Sequence, residues 1–198
     1  MASVPIIPPP RLETERLVIE PYLARHTDAA IEGFAASQAE WGRYLPSVAA
    51  GDSPEKQWAA RLQRSIDGWA DGSRFSFLAT DRVTGEYVGD CSIGDLVRGN
   101  TWECTIGWRV AVTVQGRGMA LEMCRAIVEW TFLPEPSGPN MHRICAAIMP
   151  GNGRSVKLAE RLGMTYEGTK RKLIRVGQTW HDHLIYGLVN EAWRPPQL

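Results

Sequence analysis

Apolar and polar positions along this chain fall into short periodic blocks, most of them closed by glycine or proline. Leu17 and Ile19 alternate with their neighbours within 14–21 and predict a first strand. Ile31, Phe34 and Ala35 predict a helix running towards Trp41, with Thr27 or Asp28 as its cap. A loop over 46–54 leads to a second helix. Ser53, Pro54 and Glu55 open it, Ala59, Leu62, Ile66 and Trp69 form its apolar face, and Asp71-Gly72 stops it. Phe75, Phe77 and Ala79 then alternate as a strand, and Thr84-Gly85 turns the chain. A second strand passes through Tyr87, Val88 and Ile93. After the turn at 98–100, a third passes through Glu103, Thr105 and Gly107 to Val112. Two hairpins in succession predict an antiparallel meander.

The stretch 110–120, VAVTVQGRGMA, is the one around which the other blocks arrange themselves. Its β-branched run (Val110, Val112, Thr113, Val114) ends in a glycine turn. The helix that follows reaches about Phe132. Ala120, Met123, Cys124, Ile127, Val128 and Thr131 lie on one face, and Glu122, Arg125 and Glu129 on another. A strand, a tight turn and a helix N-terminus together make an anion site, because the first-turn N–H groups lack intrahelical acceptors. Arg117 adds positive charge there. The glycine spacing matches neither the dinucleotide fingerprint nor the phosphate loop that ends in Lys-Ser/Thr.

Beyond Gly138-Pro139-Asn140, the continuous apolar run 144–149 predicts a central strand covered on both faces. Residues 150–155 turn into a short helix carried by Val156, Leu158, Ala159 and Leu162 and ended by Gly163. Strands at about 165–176 and 179–189 complete the order βααβββαβαββ. No internal repeat or linker interrupts it. The expectation is an α+β fold, a single domain over 13–194 with a mixed, mostly antiparallel central sheet flanked by helices. A Pro-rich arm, 1–12, precedes it.

Composition narrows the partners. Among 198 residues, 22 Lys and Arg balance 22 Asp and Glu, which argues against a strongly basic nucleic-acid surface. Cys91, Cys104, Cys124 and Cys145 are far apart without a C-x-x-C pair, so free buried thiols are expected rather than disulfides or a metal site. The N-terminal stretch has no basic start and is broken by prolines, unlike a signal peptide. No apolar run approaches the ~20 residues of a membrane helix, so a cytoplasmic protein without membrane or direct nucleic-acid contact is expected.

Gln115, Gly118 and Ala120 fit the pattern Gln/Arg-x-x-Gly-x-Gly/Ala, which resembles the acetyl-CoA pyrophosphate loop of the GNAT N-acetyltransferase superfamily. Further pieces extend the resemblance over nearly the whole chain. They are TERL (14–17), IGW (106–108), QGRGMALE (115–122), MHRICAAI (141–148), the N-x-x-S of Asn152 and Ser155, ERLGMTYEGTKR (160–171) and GQTWHDHLIYGLVNEAW (177–193). In this order they are similar to the RimJ/RimL-like subgroup, the ribosomal-protein N-terminal acetyltransferases.

The resemblance implies a single GNAT-like domain, acetyl-CoA as co-substrate with no metal, and direct attack by an amine in a ternary complex. The implied acceptor is a protein N-terminal α-amine of the ribosomal-protein type, met by a monomer or homodimer. A small-amine acetyltransferase (aminoglycoside, polyamine or amino acid) and a CoA-binding module without turnover are the alternatives. The resemblance assigns the Val110 backbone to the gap between diverging strands. It assigns Gln115, Gly116, Arg117, Gly118, Met119 and Ala120 to the cofactor loop, and Asn152 and Ser155 to the thioester. Ser155 is the candidate proton donor to the departing thiolate, since Ala159 stands where many members have a tyrosine.

Glu103 is the candidate general base, although it lies four residues before Gly107-Trp108, where many relatives place the acid two before. Ile174 stands where some Rim-like relatives carry another carboxylate. Asp182, with Trp180 beside it, either holds the acceptor amine or stabilises a turn. Lys170, Arg171, Lys172 and Arg175 form either a solvated basic edge or an attractor of acidic protein.

Overall fold

Both predicted hairpins form in the computed structural model, which describes residues 10–46 and 51–196. Its strands are β1 (Leu12–Glu13), β2 (Leu17–Pro21), β3 (Phe75–Asp81), β4 (Tyr87–Val97), β5 (Glu103–Val110), β6 (Arg143–Ile148), β7 (Thr165–Val176) and β8 (Thr179–Val189). They make one eight-stranded sheet in the order β1-β2-β3-β4-β5-β6-β8-β7. Every pair is antiparallel except β5 with β6, which run parallel. The described helices are α1 (Thr27–Trp41), α2 (Pro54–Asp71), α3 (Met119–Phe132) and α4 (Gly153–Arg161).

Several boundaries follow from the local chemistry read above. Ser53 caps α2 by accepting from Lys56 N–H at 3.3 Å, and Gly72 ends that helix at φ +69°. The start of α1 differs from expectation. Neither Thr27 nor Asp28 caps it, because a 3-10 turn over Ala24–His26 leads directly into the helix. Thr27 Oγ1 instead donates to Ala24 O at 2.6 Å.

The Pro-rich arm falls mostly outside the described residues, as do 47–50 of the 46–54 loop. Leu12 and Glu13 add a short strand, pairing with Ile19 and Val18. The third meander strand stops at Val110 rather than Val112, and Val112–Val114 forms a 3-10 turn. Strand β6 also differs, since Ile144, Ala146 and Ile148 are buried while Ala147 is exposed. Its second face is open; the apolar character of Cys145 and Ala147 hides the alternation.

The N-terminal TERL segment has a mechanical role. Thr14 Oγ1 (2.6 Å) and Arg16 N–H (2.9 Å) both donate to Glu122 Oε1 on α3, and Arg16 Nε donates to Oε2 at 2.7 Å. Arg16 Nη1 also donates to Arg117 O at 2.9 Å. The edge of the sheet therefore holds the glycine turn by charge-assisted bonds.

Under the sheet, Trp69 of α2 and Trp130 of α3 interlock with Phe75 and Phe77, ring centroids 4.8–5.8 Å apart. Each buried aromatic contributes roughly 1.5–3 kcal/mol. Trp58 is likewise core, stacked on Tyr22. The cysteines are free thiols, with Cys91, Cys104 and Cys124 buried.

Candidate active site

Parallel pairing of β5 and β6 covers only Glu103–Arg143, Cys104–Ile144 and Thr105–Cys145. Beyond it the strands part. Ile106 to Val110 continue to pair with β4 alone, and Ala146 to Ile148 with β8 alone. Two strand edges thus face each other across a gap, and strand edges carry unpaired N–H and C=O groups.

The gap leads to the glycine turn. Gly116 and Gly118 both have φ +80°, the left-handed region that glycine enters without strain, and Gly118 is the N-cap of α3. Arg117 N–H donates to Val114 O, and the Leu121 and Glu122 amides donate to Gly118 O. The amides of Gly116, Gly118, Met119 and Ala120 are left without an acceptor among the described residues. Helix α1 holds the chain that enters the turn. Trp41 Nε1 donates to Val110 O at 3.2 Å, and Ser37 Oγ accepts from Val112 N–H at 3.2 Å.

A cavity of about 310 Å³ runs over this turn, lined by Val110, Gln115, Gly116, Gly118 and Ala120 on one side. Arg154, Lys157 and Arg161 of α4 line the other. Their i, i+3, i+7 spacing places three cations along one helical stripe, a signal available in the sequence and missed there. Arg154 Nη1 is bonded to Gln115 Oε1 at 2.6 Å and also to Glu40. Arg117 is exposed and Met119 buried, so their backbones rather than their side chains belong to the loop.

A second cavity, of about 260 Å³, opens from the same gap. Trp108, Asn152 and Ser155 line both cavities. Asn152 caps α4, its Oδ1 accepting from Ser155 N–H at 3.2 Å. Trp108 Nε1 reaches across from β5 to Ser155 Oγ at 3.3 Å. An indole N–H only donates, so Ser155 Oγ accepts there and its own proton remains available.

The wall of the second cavity contains a buried ion pair. Asp90 on β4 stands opposite Arg109 on β5 and accepts from Arg109 Nε at 3.0 Å, with a second contact to Nη2 and Tyr87 OH at 2.5 Å. Burial opposes ionisation of Asp90, but Arg109 and Arg61 hold its carboxyl below the usual value. The Arg109 guanidinium lies 4.4 Å from the Phe34 ring centroid and 4.8 Å from that of Trp41. Gly33 lets the Tyr87 ring lie against α1, where a Cβ would collide with it.

The structure does not bring Glu103, Asp182 or Trp180 to either cavity. Glu103 sits at the paired end of β5 and accepts from Arg143 Nε at 2.8 Å. Asp182 Oδ1 accepts from Lys172 N–H at 2.8 Å, holding the irregular stretch of β7 between Lys170 and Ile174. Trp180 is 57% exposed. Trp180 and Asp182 lie within β8, and alternation along the same strand buries His183 in the wall of the second cavity. The basic residues of β7 are exposed along an outer edge of the sheet.

A family model described as Acetyltransferase (GNAT) domain matches residues 16–165. The chain belongs to the GNAT acetyltransferase family. It is 28% identical over 189 residues to the [ribosomal protein uS5]-alanine N-acetyltransferase of Escherichia coli (strain K12), covering 96% of this chain and 95% of that one. Among solved structures, the ribosomal-protein-S5-alanine acetyltransferase from Vibrio fischeri superposes with a TM-score of 0.80 at 22% identity, covering 94% of this chain and 100% of that one. RimJ from Mycobacterium smegmatis, solved with CoA-disulfide, gives a TM-score of 0.76 at 24% identity, covering 89% and 83%. At those identities the structural likeness speaks for the fold. The GNAT match ends at the start of β7, so the β7–β8 hairpin that closes the second cavity lies beyond it.

Proposed function

We propose that this GNAT acetyltransferase moves the acetyl group of acetyl-CoA to a protein N-terminal α-amine of the ribosomal-protein kind. The observation that carries the reading is the meeting of two cavities at Trp108, Asn152 and Ser155. One has the chemistry for a nucleotide cofactor, and the other is a separate entrance for an acceptor.

Acetyl-CoA, when bound, supplies the acyl group as an activated thioester. The unpaired amides of the Gly116–Ala120 turn suit its pyrophosphate, and Arg154, Lys157 and Arg161 offset the remaining phosphate charge. The free edges of β5 and β6 suit the amide-bearing pantetheine arm, which adds as a short pseudo-strand. Ser155 holds its proton where a departing thiolate needs one. Glu103, Asp182 and Trp180 take no part in this chemistry.

Charge in the second cavity favours the peptide acceptor. Arg61, Arg74 and Arg109 line it, and its one carboxylate among the described residues, Asp90, is already paired. A polyamine or aminoglycoside would meet net positive charge there. A peptide N-terminus brings a single amine, whose reference pKa near ~8 leaves part of it neutral at physiological pH, so it is repelled less. The near full-length match to an enzyme named for ribosomal uS5 alanine supports the same acceptor. Such N-termini are met in the cytoplasm, and no described helix is long and apolar enough to cross a membrane.

The test is CoA release with acetyl-CoA against two acceptor sets. One holds peptides with free Ala, Ser or Met N-termini, the other polyamines and aminoglycosides. Turnover on peptides, abolished by blocking their N-termini, is expected. Turnover confined to small amines overturns the acceptor, and binding of CoA without release from any amine favours a module without catalysis.

A further inference from the structure

We infer that His183 is the general base of the acceptor cavity, a catalytic residue that takes the amine proton through Nε2. The inference rests on the acetyl-transfer reading above and adds the group that completes it.

His183 is 3% exposed and lines the second cavity beside Asn152, Ser155 and Trp108. Its Nδ1 lies 3.0 Å from His181 O. A carbonyl only accepts, so Nδ1 carries the ring proton and Nε2 keeps the lone pair. Nε2 has no partner among the described residues. A backbone contact therefore fixes both the tautomer and the ring orientation, as a base requires.

Elimination leads to the same residue. The cavity's only carboxylate among the described residues, Asp90, is held by Arg109 and Tyr87 and is a weakened base. Glu103 lies outside the cavity, bonded to Arg143. A neutral imidazole that donates from one ring nitrogen can accept a proton at the other. The charged groups around it are Arg61 of α2, Arg74 before β3, the Asp90–Arg109 pair, and Lys170 opposite His183 on β7.

The step balances. The amine nitrogen bonds to the acyl carbon, its surplus proton passes to His183 Nε2 directly or through one water, and the carbon–sulfur bond breaks. The sulfur leaves with the Ser155 proton. Solvent then reprotonates Ser155 and discharges His183.

The test variant is H183N, whose side-chain amide can still donate to His181 O but cannot accept a proton as imidazole does. Parent and variant are compared from pH 5.5 to 9 on whichever amine the parent turns over, with acetyl-CoA affinity measured in parallel. The expected result is a loss of about a hundredfold or more in kcat, unchanged acetyl-CoA affinity, and disappearance of the acidic limb of the kcat profile. A variant within threefold of the parent, or one that keeps that limb, overturns the inference. If H183N fails to fold, H183Q takes its place, and a parent kcat profile without an acidic limb overturns the inference by itself. Activity on small amines alone sinks the peptide reading while the base stands or falls on its own fold-change. A parent silent on every amine sinks both.

Discussion

The two ends of β5 carry opposite kinds of chemistry. At the first, Glu103 pairs with Arg143, and Arg143 also binds Glu167 on β7. This end is zipped to β6, and its charges join neighbouring strands. At the other end, Trp108, Arg109 and Val110 have lost β6 as a neighbour, and both cavities open there. Strand parity makes Glu103 resemble a residue on the reacting side, but parity gives the face of a strand and says nothing about position along it. From Glu103 to Val110 the strand rises by roughly 3.3 Å per residue, so the two ends stand far outside hydrogen-bond reach of each other.

The largest effect should come from Asp90 at the split end. D90N leaves Arg109 buried beside a neutral partner, and breaking such a pair costs about 3–5 kcal/mol. The folded-state pKa of Asp90 is lowered, so its contribution is full above the unfolded value near ~3.9 and is lost as pH falls through the lower folded value. Urea unfolding should therefore show a large deficit for D90N at pH 7 that narrows below about pH 4. A deficit that does not change with pH would mean that Asp90 matters by shape rather than by charge.

S155A comes next. Removing a positioned proton donor should lower kcat by about a hundredfold while acetyl-CoA affinity holds. A change confined to affinity would reduce Ser155 to a member of the α4 cap. G118V probes the cofactor loop itself, since a β-branched residue at φ +80° is strained by about 1–3 kcal/mol. Acetyl-CoA affinity should fall roughly tenfold or more, measured by calorimetry.

Much of the fold was legible because local chemistry decided it. The cap at Ser53, the stop at Gly72 and the β7–β8 hairpin follow from turn and capping residues within a few positions. The TERL segment was legible as a motif but not as a clamp, because Glu122 lies 106 residues from Arg16. In the site, the glycine turn and the Asn152–Ser155 pair could be read, whereas Trp108, Arg109 and His183 could not. Their roles depend on which strands lie side by side and where two of them part. The Asp90–Arg109 pair exists only once β4 and β5 are in register. The alternation of β6 was hidden because its open face carries Cys145 and Ala147, apolar residues that read as core.

The smallest effect is the one that separates the two ends of β5. E103Q removes the charge of a half-exposed carboxylate bonded to Arg143, a contact worth about 0–1 kcal/mol when solvated. Arg143 keeps Glu167 as a partner, so the loss falls on one bond of a shared pair. The variant's kcat on peptide acceptors should stay within about twofold of the parent, since a residue outside both cavities has no reacting atom to touch. A fall of a hundredfold with unchanged stability would reverse the assignment of the two ends and require the acceptor to enter near the zipped strands. Parallel measurement of H183N then decides where the proton goes, because a single proton-removal step does not need a base both at the zipped end of β5 and on β8 in the acceptor cavity.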